Sequence, residues 1–232
     1  MALRTPADRS HRREVRSSGL AVTSGTLEEW ISQLCARGGR RLLGIVGAPG
    51  SGKSTLAVRL AATMPDQAVV VPMDGFHLAQ PELERLGRAD RKGAPDTFDP
   101  AGFIALLVRL RRPTAGETVY APAFNREIEE SIAGTIAVPP GVPLVIVEGN
   151  YLLLGDVWAG VSGLLDESWY LDTPELLRRT WLRERHMRFG RGVGAADAWI
   201  DATDMPNASL IEATRERATR LLSWPLDVDS AS

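Results

Sequence analysis

The sequence predicts a three-layer α/β fold in which a doubly wound parallel sheet is flanked by helices, and three observations predict it. Four short apolar runs, at residues 42–46, 68–71, 142–147 and 169–171, are separated by stretches of helical character. Each run is continuous rather than alternating, as expected of strands buried on both faces. Each ends in polar or glycine-containing residues, at the end where a parallel sheet gathers its ligands.

Taken in order, Thr26 with Glu29 resembles a capping box, and Trp30, Ile31 and Leu34 follow on one helical face that stops near Gly38-Gly39. Residues 42–46 form the first strand and 54–64 a helix; residues 68–71 form the second strand, running into Pro72-Met73-Asp74-Gly75. Residues 100–111 suit a helix that opens on proline. The run 142–147 leads to Glu148-Gly149-Asn150, and 169–171 to Asp172-Thr173-Pro174. A final helix is expected through about residue 222. Residues 1–24 carry Arg4, Arg9, Arg12, Arg13 and Arg16 against Asp8 and Glu14, and read as a disordered basic leader. One folded domain is expected over 25–224, with 225–232 a C-terminal tail.

With 232 residues, 44% hydrophobic and 24% charged, the chain suits one substantial core. A formal charge of −2 argues against extended nucleic-acid binding, so a small-molecule partner is expected. The single Cys35 forms no internal disulfide and reads as a small apolar group in a helix. No window reaches 18 uninterrupted apolar residues and no signal-peptide core is visible, so a cytoplasmic protein without a membrane span is expected. A homo-oligomer is left open.

Residues 47–54 read GAPGSGKS and satisfy G-x-x-x-x-G-K-[S/T] at every fixed position, directly between a strand and a helix. The chemistry needs each part. Gly47, Gly50 and Gly52, with Ala48, Pro49 and Ser51 between them, let main-chain amides curl around phosphate oxygens. Lys53 reaches the terminal phosphates of ATP, Ser54 offers a hydroxyl to Mg²⁺, and Thr55 follows on the same turn. This makes the fold the P-loop NTPase arrangement. Of 27 basic residues only Lys53 and Lys92 are lysines, so each is a candidate for a task that a planar guanidinium performs less well. Lys92 is therefore a candidate substrate or phosphate contact.

Asp74 follows the second strand, which brings its carboxylate beside the phosphate loop, where phosphoryl transfer needs a base to orient a hydroxyl. His77 either contacts substrate or holds the loop. Glu148 ends an apolar strand and needs a partner, for which Mg²⁺ is the candidate. Residues 176–191 carry six arginines, Arg178, Arg179, Arg183, Arg185, Arg188 and Arg191, as expected of a lid over phosphates.

VPMDGFH (71–77), RKGAPDTFD (91–99), VIVEGNYLLL (145–154) and LLRRTWLRER (176–185) together resemble the uridine kinase, pantothenate kinase and phosphoribulokinase-like group of P-loop kinases. ATDMPNASLIE (202–212) is similar to a motif of the nucleoside or fructose-transport-associated branch. The resemblance implies ATP and Mg²⁺ as cofactors, Asp74 and Lys53 as catalytic residues and Arg179 and Arg183 as lid contacts to ATP. It also implies Tyr120 and Arg126, with Phe124, in an acceptor pocket near Lys92, His77 and Asp96. In YAPAFNREIEES (120–131) the branch has an aspartate where this chain has Asn125, and Asp-Pro near Glu130-Ser131. Two functions fit these residues: a small-molecule kinase acting on a hydroxyl, or an ATP-binding regulatory protein that hydrolyses slowly with no small acceptor.

Overall fold

The computed structural model describes residues 23–226, so residues 1–22 of the predicted leader and 227–232 of the tail lie outside the described residues, while the leader's last two residues cap and begin the first helix. The elements in chain order are α1 (Ser24–Cys35), β1 (Arg41–Val46), α2 (Lys53–Ala62), β2 (Ala68–Pro72), α3 (Gln80–Arg85), α4 (Pro100–Arg111), β3 (Val119–Asn125), β4 (Glu130–Val138), β5 (Leu144–Gly149), α5 (Ala159–Ser162), β6 (Glu167–Asp172), α6 (Glu175–Arg188), α7 (Val193–Trp199), α8 (Met205–Glu212) and β7 (Arg220–Ser223).

Five strands form one sheet in the order β2-β5-β1-β6-β7, with every pairing parallel. Because side chains alternate across a strand, each inner strand feeds two cores. Leu43 and Ile45 of β1 and Leu144 and Ile146 of β5 pack with α1 and α2 on one face. Leu42, Val46, Val145 and Val147 pack on the other with α4, through Phe103, Leu106, Leu107 and Leu110. Thr23 caps α1 by accepting from the Thr26 amide at 3.3 Å, one turn earlier than the predicted box, and the helix buries Leu27, Ile31 and Leu34. Cys35 is a half-buried free thiol whose pKa burial pushes up.

Two acids at the start of β6 tie that strand to its neighbours. Asp166 accepts from the Leu42 amide at 2.9 Å, from Arg41 at 2.9 Å and from Arg111 at 3.1 Å. Glu167 is held by Arg37 at 2.8 Å, Arg220 at 3.1 Å and the Trp169 indole at 3.1 Å.

Two elements differ from expectation. The predicted final helix stops at Glu212, and Arg220–Ser223 adds a strand beside β6. Leu221-Leu222 is too short an apolar pair for periodicity to tell strand from helix, and the open edge of β6 decides it. Antiparallel β3 and β4 form a separate hairpin, which the apolar runs of the sequence do not mark. Pro122 lies within β3, and such a residue argues against a strand; the chain accommodates it with a register shift between Ala121 and Ala123.

Candidate active site at the carboxyl ends of the strands

Four strand ends meet at one place. β1 runs into the phosphate loop, β2 into a 3₁₀ turn at Met73–Phe76, β5 carries Glu148, and β6 leads to Thr173. Parallel register sets Pro72 and Ile45 on either side of Glu148. Around these ends lies a cavity of about 420 Å³.

The phosphate loop is shaped by close approach. A Cβ at Gly47 would lie 2.6 Å from Ser51 Oγ, and one at Gly50 would lie 2.8 Å from the Arg178 carbonyl. Gly52 has φ +87° and caps α2 without a side chain, so the first-turn amides stay open to an anion. Lys53 lies folded in the loop, donating to the Ala48 carbonyl at 3.0 Å. Burial lowers its pKa to about 8, against the opposing pull of Glu148 and Asp74. Ser54 Oγ donates to Glu148 Oε1 at 3.0 Å. Glu148 is pushed up by burial and by the Asp74 charge. Thr173 Oγ1 donates to the Ser51 carbonyl at 2.9 Å, which ties the loop to the end of β6.

Asp74 stands opposite, with Arg126 Nη2 at 3.0 Å from its Oδ2. Burial works to raise the Asp74 pKa, but His77, which is charged only in acid where Asp74 titrates, together with Arg126, Lys53 and Arg185 outweighs it and holds it below the usual value. His77 Nδ1 lies 2.7 Å from the Asp74 carbonyl, which can only accept, so Nδ1 carries the proton. Burial lowers the His77 pKa, leaving a neutral ring at pH 7. That ring is packed between Phe98 and Phe124, with centroids at 4.0 and 4.5 Å.

The hairpin clasps this turn. Glu130 Oε1 accepts from the Gln80 amide at 2.9 Å and Ser131 Oγ donates to the His77 carbonyl at 3.2 Å. Gly75 is the contact point, since a Cβ there would lie 2.3 Å from the Pro122 carbonyl. Asn125 Oδ1 accepts from the amide of Glu127 at 2.9 Å, forming the hairpin turn, a task open to aspartate and asparagine alike. The residues by which 120–131 departs from the resembled pattern thus shape and dock the hairpin.

Of the predicted residues, the cavity brings together Pro49, Gly50, Lys53, Ser54, Asp74, His77, Lys92, Arg126 and Glu148. Gly47, Ala48, Ser51 and Gly52 complete the loop behind them, and Thr55 is exposed on the first turn of α2. Tyr120 is exposed on the hairpin and Asp96 is paired with Arg91; neither lines the cavity. Arg179 and Arg183 do not line it either. They bind Asp201 at 2.6 Å and Asp197 at 2.7 Å, so two arginines four residues apart on α6 meet two aspartates four residues apart on the segment beside it.

The α6 side chains that do reach the cavity are Arg185 and His186, residues the lid expectation did not single out for contact. The matching four-residue spacing of Asp197 and Asp201 is a signal that could have assigned Arg179 and Arg183 to the outer face. Asp204 and Asn207 also line the cavity, from a π-helical turn at Ile200–Asp204 and the start of α8. Asp204 binds His186 Nε2 at 2.8 Å. Asn207 donates to the Gly93 carbonyl at 3.3 Å, so the 202–212 motif closes against the 91–99 motif.

This arrangement is that of a P-loop kinase for small molecules. No family model matches the chain. A Schizosaccharomyces pombe protein provisionally named a uridine kinase is 35% identical over 185 residues, 75% of this chain and 78% of that protein. The pantothenate kinase of Bacillus velezensis is 31% identical over 157 residues, 62% of this chain and 49% of that enzyme. Among solved structures, a Silicibacter sp. TM1040 protein provisionally described as a fructose transport system kinase is 40% identical, with a TM-score of 0.78 over 87% of this chain and 98% of that one. The chain belongs to the uridine kinase and pantothenate kinase-like group of P-loop kinases and is a phosphotransferase. Among the described residues, no helix is long and apolar enough to cross a membrane.

Proposed function

We propose that this chain is an ATP- and Mg²⁺-dependent kinase that transfers the γ-phosphoryl group to a hydroxyl of a small metabolite, with Asp74 as its base. One observation carries the proposal: Lys53, the Ser54–Glu148 pair and Asp74, brought in at the carboxyl ends of β1, β5 and β2, line one cavity. The loop amides and Lys53 hold the transferring phosphate. Asp74 is ionised at neutral pH, so it accepts a hydrogen bond from the acceptor hydroxyl and takes its proton as the oxygen–phosphorus bond forms and the bond to ADP breaks. With Nδ1 committed to the Asp74 carbonyl, His77 keeps its other ring nitrogen as an acceptor for substrate.

Ser54 and Glu148 fit Mg²⁺, which takes few protein ligands and keeps several waters. Glu148, raised by burial, is the kind of group whose ionised form a divalent cation restores. When bound, the ion neutralises charge on the phosphates. Arg185, rather than Arg179 or Arg183, is the lid arginine suited to the transferring phosphate, because it lines the cavity and the others are paired outside it. Lys92 and Arg126 stand at the acceptor end.

The test is ADP release with Mg-ATP against a panel of nucleosides, pantothenate and sugars. Stimulation by one class is the expected result, and Asp74→Asn strongly reduces it while ATP still binds. Hydrolysis indifferent to every acceptor supports instead the regulatory ATP-binding protein.

A further inference from the structure

Beyond Asp74 the cavity wall is positively charged and has donors to spare. Lys92 Nζ lies 5.5 Å from the centroid of the Phe124 ring, and the Arg126 guanidinium carbon lies 5.7 Å from the same centroid. One aromatic ring therefore has two cations within cation–π reach. Arg126 uses Nη2 on Asp74, and among the described residues its other nitrogens have no hydrogen-bond partner. Lys92 donates once, to the Glu129 carbonyl, leaving two of its three donors. Arg185 also lines the cavity; its side chain makes no hydrogen bond among the described residues, and its nearest carboxylate, Asp204, is 3.9 Å away.

Four acids line the cavity against five cations, Lys53, Lys92, Arg126, Arg185 and Arg191. Three of the acids are already engaged, Asp74 by Arg126, Asp204 by His186 at 2.8 Å and Glu148 by Ser54 at 3.0 Å, and the fourth, Glu129, is exposed at the hairpin tip. Like charges held together in a partly enclosed cavity are unfavourable until an anion joins them. Arg126 is suited to that anion because its planar fork matches a carboxylate or phosphate, while Lys92 adds a compact charge.

Resting on the kinase reading, we infer that the acceptor is itself an anion, an alcohol bearing a carboxylate or phosphate group that Arg126 and Lys92 bind while the hydroxyl faces Asp74. A neutral nucleoside would bring no charge to the donors that Arg126 and Lys92 have left over. The inference narrows the acceptor to hydroxy acids and sugar phosphates, and it assigns the Lys92–Phe124–Arg126 cluster to specificity.

The test separates this site from the nucleotide site by filling the latter with Mg²⁺ and a non-hydrolysable ATP analogue. Calorimetry then measures sulfate, and the matched probes glycerate and glycerol, pantothenate and pantothenol, ribose 5-phosphate and ribose. Sulfate and the charged member of at least one pair are expected to bind, with the neutral member weaker by about tenfold or more, one lost charged hydrogen bond. A carboxylate or a phosphate as the winning group names the source. Arg126→Gln with Lys92→Gln is expected to weaken anion binding by at least about the same factor, with nucleotide affinity reporting that the variant is folded. Absent sulfate binding, a neutral probe that matches its charged partner, or anion affinity unmoved by the substitutions would overturn the inference. Anion binding without phosphoryl transfer to any probe would count against the kinase reading and leave the anion site standing.

Discussion

Lys53 is a buried ammonium whose pKa is about 8, because burial outweighs the pull of Glu148 and Asp74. In the free protein it is charged below that pH and neutral above it. Nucleotide affinity should therefore fall as pH rises through about 8, which a titration between pH 7 and 9.5 measures. The stability sign runs the other way. Between about 8 and the ordinary 10.5 the unfolded chain holds a proton that the folded one has released, so the cost of burying this charge is relieved as pH rises. Lys53→Ala removes the affinity midpoint and weakens binding by about 1.5–3 kcal/mol, the worth of a charged hydrogen bond. Asp74→Asn leaves nucleotide binding in place and lowers kcat by about 10²–10⁴-fold, the range of general-base contributions. Near-normal turnover by that variant would remove Asp74 from its assigned role.

At the scale of elements, the hairpin is what positions the base turn. Gly75→Ala sets a Cβ against the Pro122 carbonyl, which is main chain and cannot rotate away. It should cost about 1–3 kcal/mol of stability, as overpacking does, and lower kcat more than nucleotide affinity. Thermal melting and a saturation curve in ATP check both parts. The hairpin also marks where the sequence became hard to read. The phosphate loop and Asp74 were legible because a strand, a glycine pattern and a lysine stand in unbroken local order. The acceptor wall is assembled from β3, β4, the loop before α4, and α6 to α8, elements joined by contacts that no local period records. Arg185 and Arg179 have the same chemistry; only the partners Asp197 and Asp201, on another element, tell the outer face from the inner one.

At the scale of the whole molecule, one carboxylate joins three distant segments. Asp166 accepts from Leu42, Arg41 and Arg111, and those bonds and charges hold its pKa below the usual 3.8 against the effect of burial, which would raise it. Its contribution to stability is present above that ordinary value and is lost as pH falls through the lower folded value. Asp166→Ala should destabilise the fold by about 3 kcal/mol, the low end for a broken buried pair because Arg111 is partly exposed. Denaturant melts at neutral pH measure this loss, and nucleotide affinity of the folded fraction should stay unchanged.

The strand β7 has an effect on timing. A Cβ at Gly52 would lie 2.2 Å from the Trp224 indole nitrogen, so the underside of the phosphate loop is closed by a residue made long after the loop itself. A ribosome extruding this chain from its amino end releases residues 47–54 early, yet the wall they rest on emerges only with residue 224. A nascent chain should therefore be unable to retain nucleotide until almost all of the described domain has left the exit tunnel. Trp224→Ala, which removes that wall at a cost of about 3–5 kcal/mol, should leave a finished protein that handles ATP as an unfinished one does.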